Sequence, residues 1–217
     1  MRERWATFDC YGTLVDWNGG IGAELARVFG ADRVEEQLHR YHELEPALEA
    51  DGSRSYHEVL TEAMRRLGAP EGSEYGLADS LPAWEAFPEV HDELSELRSR
   101  GWRLGILSNT DPDLIAASQV QIGVPFDEVV VAGEIGSYKP AHHHWEEFFS
   151  RSGVRHDRHV HVAASLFHDI APANELGLRS VWINRLGESS REGARPDREL
   201  PDLRGLAGVL DELVPDA

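Results

Sequence analysis

The sequence predicts an α/β fold: a parallel sheet with helices on both faces, and a separate helical unit inserted after the first strand. Three observations predict it. Short apolar runs alternate with amphipathic segments, as in βα units around a parallel sheet. Proline and glycine punctuate the junctions. The alternation fails once, between Asp16 and Phe87, where about 70 residues carry helical patterns and no strand signal, too many for an ordinary crossover.

The strand candidates, in order, are residues 5–10, 103–108, 128–132, 160–164 and 180–183, each an apolar run of strand length. After the first come three helical patterns, near 21–29, 33–49 and 55–67, with Pro46 expected to kink or end the second. The glycine-rich "NGGIGAE" at 18–24 follows no nucleotide-binding strand arrangement and is assigned to the entry of this insert. Val90, Leu94 and Leu97 fall at i, i+4 and i+7 of a helix closed by Gly101. "NTDPDLIAASQ" starts a helix with Asp111 as cap and Pro112 at its first position, and "KPAHHHWEEFFSRSG" is expected to repeat the device with Pro140. The stretch 187–200 is expected to be a polar surface loop. The resulting division is a sheet core of residues 1–15 and 88–217 and a helical cap of residues 16–87.

Composition narrows the function. With 217 residues, 41% hydrophobic and 28% charged, the chain suits one good-sized core with a smaller appended unit. No stretch approaches the roughly 20 apolar residues of a membrane span, and "MRER" leads directly into a strand without a signal peptide, so a cytoplasmic setting is expected. A net charge of −18 argues against nucleic acid or an anionic membrane as a partner. A small anionic substrate would then need local positive charge. A homodimer is compatible with such a chain. The single cysteine, Cys10, reads as small core filler.

In an open parallel sheet, ligands bind beyond the carboxyl ends of the strands. Asp9, Ser108 and Asn109 stand at such ends, and Lys139 and Asp169 in loops after two others. Singly, each has an ordinary role as turn former, helix cap or surface charge. Together, in this order, they suggest a site.

"FDCYGTLVDW", "ILSNT", "SYKP" and "ASLFHDI" resemble the four motifs of the haloacid dehalogenase superfamily over nearly the whole chain. "VWINR" at 181–185 and "LHRYHELE" at 38–45 are similar to the L-2-haloacid dehalogenase branch. The resemblance implies a Rossmann-like core under a helical cap, with Asp9 as nucleophile, Ser108 holding the substrate's anionic group, Lys139 neutralising the site and Asp169 completing it. It further implies that Arg40, from the cap, draws off the halide with help from Asn109. Thr13 is expected to hydrogen-bond Asp9, Tyr11 to line the pocket, and Ser165 and His168 to contact substrate, His168 by positioning water.

Most of the superfamily are phosphatases, which use a second carboxylic acid two residues after the nucleophile and Mg²⁺ held partly by a fourth-motif aspartate. Here those positions are Tyr11 and Ala164, followed by Ser165. A carbon electrophile needs neither group, because halide leaves without a proton and no phosphate must be screened. The expectation is therefore a hydrolase of carbon–halogen bonds acting on a small 2-haloalkanoate through an aspartyl ester, without metal or cofactor. The alternatives are another small 2-substituted or strained-ring acid, or a Mg²⁺-dependent phosphatase. Ala164, Leu166 and Trp145 depart from the branch, which carries serine, asparagine and tyrosine there, and His168 replaces an aromatic; a differently shaped pocket follows. Adjacent helical residues diverge by about 100°, so His142, His143 and His144 are expected to form a solvated helix start and not a metal cluster.

Overall fold

The first apolar run forms β1 (Arg4–Phe8), every residue of which is buried. Its alternation serves two cores at once: Ala6 and Phe8 pack into one cluster, Trp5 into another on the opposite face. In the computed structural model, which describes residues 3–50, 52–190 and 192–216, β1 lies inside a parallel sheet of six strands among the described residues, in the order β3-β2-β1-β4-β5-β6. The others are β2 (Trp102–Ser108), β3 (Glu128–Val131), β4 (His159–Ala163), β5 (Arg179–Ile183) and β6 (Arg198–Leu200). The order reverses between β1 and β4, so a crevice opens there beyond the strand ends.

On one face, α5 (Val90–Ser99) and α10 (Leu206–Leu213) bury Leu94, Leu97, Leu206 and Leu210 against Ala6, Leu104 and Val160. On the other, α8 (His143–Ser152) and α9 (Ala171–Glu175) bring Trp145, Phe148 and Ala173 against Trp5 and Leu107. Phe148 meets Trp5 edge-on, ring centroids 5.3 Å apart. The remaining core helices are α6 (Pro112–Ile122) and the single turn α7 (Ala132–Ile135).

Between β1 and α5 the chain forms α1 (Trp17–Phe29), α2 (Val34–Glu49), α3 (Tyr56–Leu67) and α4 (Gly76–Ser80). Four expectations need correction. The helix expected from residue 21 starts at Trp17, because the Asp16 carboxylate caps it by accepting from the Gly19 amide at 2.9 Å, and "NGGIGAE" belongs to its first turns. Of the two outcomes expected at Pro46, a kink or an end, the end does not occur: α2 runs on to Glu49, because near a helix end few backbone bonds follow the one that proline removes. Pro140 does not open α8, which begins at His143 after a turn. The polar stretch 187–200 ends in β6, an edge strand whose exposed Arg198 and Glu199 carry no apolar run to betray it. No helix among the described residues is long and apolar enough to cross a membrane.

Candidate active site

The site begins where β1 ends. The Asp9 amide donates to the Val162 carbonyl (3.1 Å), after which the chain turns sharply through Gly12, whose φ of +85° suits a residue without a side chain. This turn brings Thr13 back to the nucleophile candidate. Its Oγ1 donates to Asp9 Oδ2 at 2.9 Å and accepts from the Ala164 amide at 2.9 Å, so one hydroxyl joins the ends of β1 and β4.

Lys139 is 2% exposed, and its three ammonium protons have three acceptors: Asp9 Oδ1 at 3.0 Å, Asp169 Oδ1 at 2.7 Å and the Leu107 carbonyl at 2.8 Å. Asp169 sits in a π-type turn at residues 166–170 and also accepts from His161 Nε2 at 2.9 Å. With that nitrogen as donor, His161 Nδ1 accepts from the Thr7 hydroxyl at 2.8 Å, and Thr7 accepts from His159 Nε2 at 2.7 Å. A polar chain thus runs beneath the site from β4 through β1 to Asp169. Burial pushes the Asp9 carboxyl above its ordinary range, outweighing the opposing pull of Lys139. For Asp169, burial is overcome by Lys139 and His161, and the carboxyl is held well below the ordinary range. The ammonium of Lys139 is stabilised by both carboxylates against its own burial.

Above these groups lies a cavity of about 250 Å³, lined on the sheet side by Asp9, Ser108, Asn109, Lys139 and Asp169. Ser108 is wholly buried and its Oγ has no hydrogen-bond partner. On the insert side α2 contributes His42, Glu45 and Glu49, and α3 contributes Tyr56. Glu45 Oε1 accepts from the hydroxyls of Tyr41 (3.0 Å) and Tyr56 (2.7 Å); Glu49 Oε2 accepts from Asn109 Nδ2 (3.0 Å). Burial raises Glu45 to about 7, partly offset by the two tyrosine hydroxyls, and burial with the neighbouring Glu45 raises Glu49 well above the ordinary range. A second cleft of about 850 Å³, lined among others by Phe87, Leu166, Ile183 and Leu186, shares Tyr11, Trp17, His42 and Ser165 with the first.

Of the residues singled out in the sequence, Asp9, Tyr11, Ser108, Asn109, Lys139, Ser165, His168 and Asp169 line the smaller cavity, and Thr13 supports Asp9. The Tyr11 hydroxyl turns to Ser118 Oγ (3.0 Å), leaving its ring to line the cavity. Ser165 Oγ lies 3.2 Å from His168 Nδ1, and burial lowers His168 to about 4.

Arg40 is not brought to the cavity, against expectation. Its guanidinium donates to Gln37 Oε1 and to the Arg66 carbonyl, both at 3.2 Å. The cause is helical phase: Tyr41, Glu45 and Glu49 occupy the inward row of α2, and Arg40 lies about 100° off that row, towards the end of α3. Asn109 correspondingly engages Glu49 and the Lys139 backbone instead of Arg40. The histidine triplet divides: His142 pairs with Glu175 and His143 with Ser137, but His144 is fully buried and donates to the Ser108 carbonyl at 3.1 Å, not solvated as expected. Trp145 packs on His161, centroids 5.2 Å apart, behind the site. Burial pushes the Cys10 thiol up, as suits core filler.

Residues 4–177 match the model of the haloacid dehalogenase-like hydrolases. The chain belongs to this family. Among its relatives is an (S)-2-haloacid dehalogenase of Pseudomonas sp. (strain YL), 28% identical over 94% of this chain and 93% of the relative. A glyceraldehyde 3-phosphate phosphatase of Methanopyrus kandleri is 32% identical over 90% of this chain and 88% of its own length. A solved L-2-haloacid dehalogenase superposes with a TM-score of 0.85 at 25% identity, covering 97% of this chain and all of that one. Within this hydrolase, sequence reasoning missed Glu45, Glu49, Tyr56, His42 and Trp17. The signal for two of them was present: Tyr41, Glu45 and Glu49 recur every four residues, placing carboxylates on the row of α2 that carries buried Tyr41.

Proposed function

We propose that this haloacid dehalogenase-like hydrolase cleaves the carbon–halogen bond of a small 2-haloacid, with Asp9 as nucleophile and residues 16–87 as a cap over the cavity. A carboxylate oxygen of Asp9 attacks the carbon bearing the halogen from the side opposite the leaving group, forming a C–O bond as the C–X electron pair departs with halide. The product of this step is an ester with inverted configuration. Water then attacks Cγ of Asp9, releasing the hydroxyacid with an oxygen that came from the protein. Asp169 Oδ2, buried and without a partner, orients that water by accepting a hydrogen bond from it; one water proton ends on the departing alkoxide oxygen and the other is lost as the Asp9 carboxyl ionises again. Lys139 keeps two buried carboxylates compatible with one another, and Ser108 Oγ receives the substrate's carboxylate.

The observation that carries this reading is the ammonium of Lys139 between Asp9 and Asp169, at 3.0 and 2.7 Å, with no carboxylate at Tyr11 or Ala164. Phosphoryl transfer suits the site poorly. A phosphate dianion would face the carboxylates of Asp9 and Asp169 while Lys139, the one lysine or arginine among the described residues lining the cavity, is already shared by both. The test is a single turnover in heavy-oxygen-labelled water with enzyme in excess over 2-chloropropionate, with chelator present. Label should enter the Asp9 peptide, and the product should carry unlabelled oxygen. Label appearing directly in product, with none in the protein, overturns the covalent mechanism, and phosphate-ester turnover without halide release overturns the reaction class.

A further inference from the structure

The insert side of the cavity is built for positive charge. Glu45 and Glu49 line it from α2, with the rings of Trp17 and Tyr56 beside them, and the ring of Tyr11 meets them from the turn after β1. Tyr11 and Tyr56 stack with centroids 6.2 Å apart and planes 20° from parallel, and Trp17 stacks on His42 at 5.0 Å. Aromatic faces carry negative potential, and such rings with carboxylates are the chemistry that holds organic ammonium groups. No arginine joins them among the described lining residues, and Lys139 is committed to Asp9 and Asp169. The buried Ser108 Oγ, free of any partner on the opposite wall, marks a second polar group that a ligand would satisfy.

We infer that the substrate carries an organic cation, an amino or alkylammonium nitrogen seated among Glu45, Glu49, Tyr11, Trp17 and Tyr56. The inference rests on the proposed reaction at Asp9 only for where the substrate reacts. Its carboxylate then lies towards Ser108, its nitrogen towards α2, and the halogen-bearing carbon between them at Asp9. Such a molecule is a zwitterion. It adds no net charge to a cavity in which four carboxyl groups, Asp9, Asp169, Glu45 and Glu49, face one ammonium, and a bound organic cation would hold Glu45 and Glu49 ionised against the burial that raises them.

The experiment is direct calorimetric titration of the whole protein with choline and with its uncharged isostere 3,3-dimethylbutan-1-ol. It is run at about pH 8, where Glu45 is mostly ionised. The groups facing Glu45 are Tyr41, His42 and Glu49 on its own helix, Tyr56 from α3, and Asp9 and Lys139 across the cavity. Choline should bind at least about tenfold more tightly than the alcohol. The variant Glu45→Gln with Glu49→Gln should abolish that preference while its circular dichroism stays unchanged. Should that variant fail to fold, Trp17→Leu should reduce choline binding and leave alcohol binding nearly the same. Equal affinity for the two probes, or no binding of choline, overturns the inference. Because the readout is binding, halide release without cation preference removes only this inference, and cation preference without halide release removes only the proposed reaction.

Discussion

Replacing Glu45 by glutamine should change how stability depends on pH more than it changes stability itself. The carboxyl is fully buried, accepts from Tyr41 and Tyr56, and is raised from an ordinary 4.5 to about 7. A carboxyl raised on folding favours the protonated state in the folded protein. The folded chain therefore binds more protons than the unfolded one between these two values, and stability falls as pH rises through that window. Each tenfold change in an acid dissociation constant is worth about 1.36 kcal/mol, so the full displacement amounts to about 3 kcal/mol, of which about 2.5 kcal/mol is lost between about pH 5 and about pH 8. Glutamine keeps an oxygen for the two tyrosine hydroxyls and cannot ionise. Urea unfolding of parent and Glu45→Gln at these two pH values should therefore show the gap between them moving by about that amount in favour of the variant at the higher pH. Parallel curves would refute the reasoning, because they would mean that Glu45 is solvated or paired in a way its burial does not allow.

Lys139→Met leaves Asp9 and Asp169 facing each other without a cation, so the acid limb of the rate profile should move to higher pH as the Asp9 carboxyl rises further, and urea melts should show a loss of about 3–5 kcal/mol at neutral pH. Arg40→Ala should change halide release by less than about twofold, measured as kcat/KM, because its guanidinium bonds Gln37 and the Arg66 carbonyl outside the cavity. Phe148→Ala, deep under β1 and β2, should cost about 3–5 kcal/mol in chemical denaturation and leave KM little changed.

The parts of the site that stand at strand ends were legible because their local pattern and their position in the fold agree. An apolar run, then Asp9, then Gly12 and Thr13, states both the strand and the turn that returns the threonine to the carboxylate. Lys139 and Asp169 were legible through motif order, although nothing local to either announces the 2.7 Å contact between them. The chain His159, Thr7, His161 was not legible, because its members occur in two strands whose adjacency is a property of the assembled sheet. Arg40 failed for a different reason. A matched stretch fixes the residue type but not its rotation about the helix axis, and that phase is set by how Tyr41, Leu48 and the α3 residues Val59 and Leu60 pack in the insert. β6 was hidden because an edge strand needs only one partner and can be polar throughout.

The four-residue recurrence of Tyr41, Glu45 and Glu49 along α2 has a further consequence. In the proposed reaction the groups that make and break bonds hang from the strand ends of the core, while those proposed to face the far end of the substrate occupy one stripe of a helix elsewhere in the chain. On that reading chemistry and selectivity are separable modules. A few exchanges along that stripe, on a rigid element whose geometry the others do not share, offer a route to retune which molecules are accepted while the reaction itself is inherited intact.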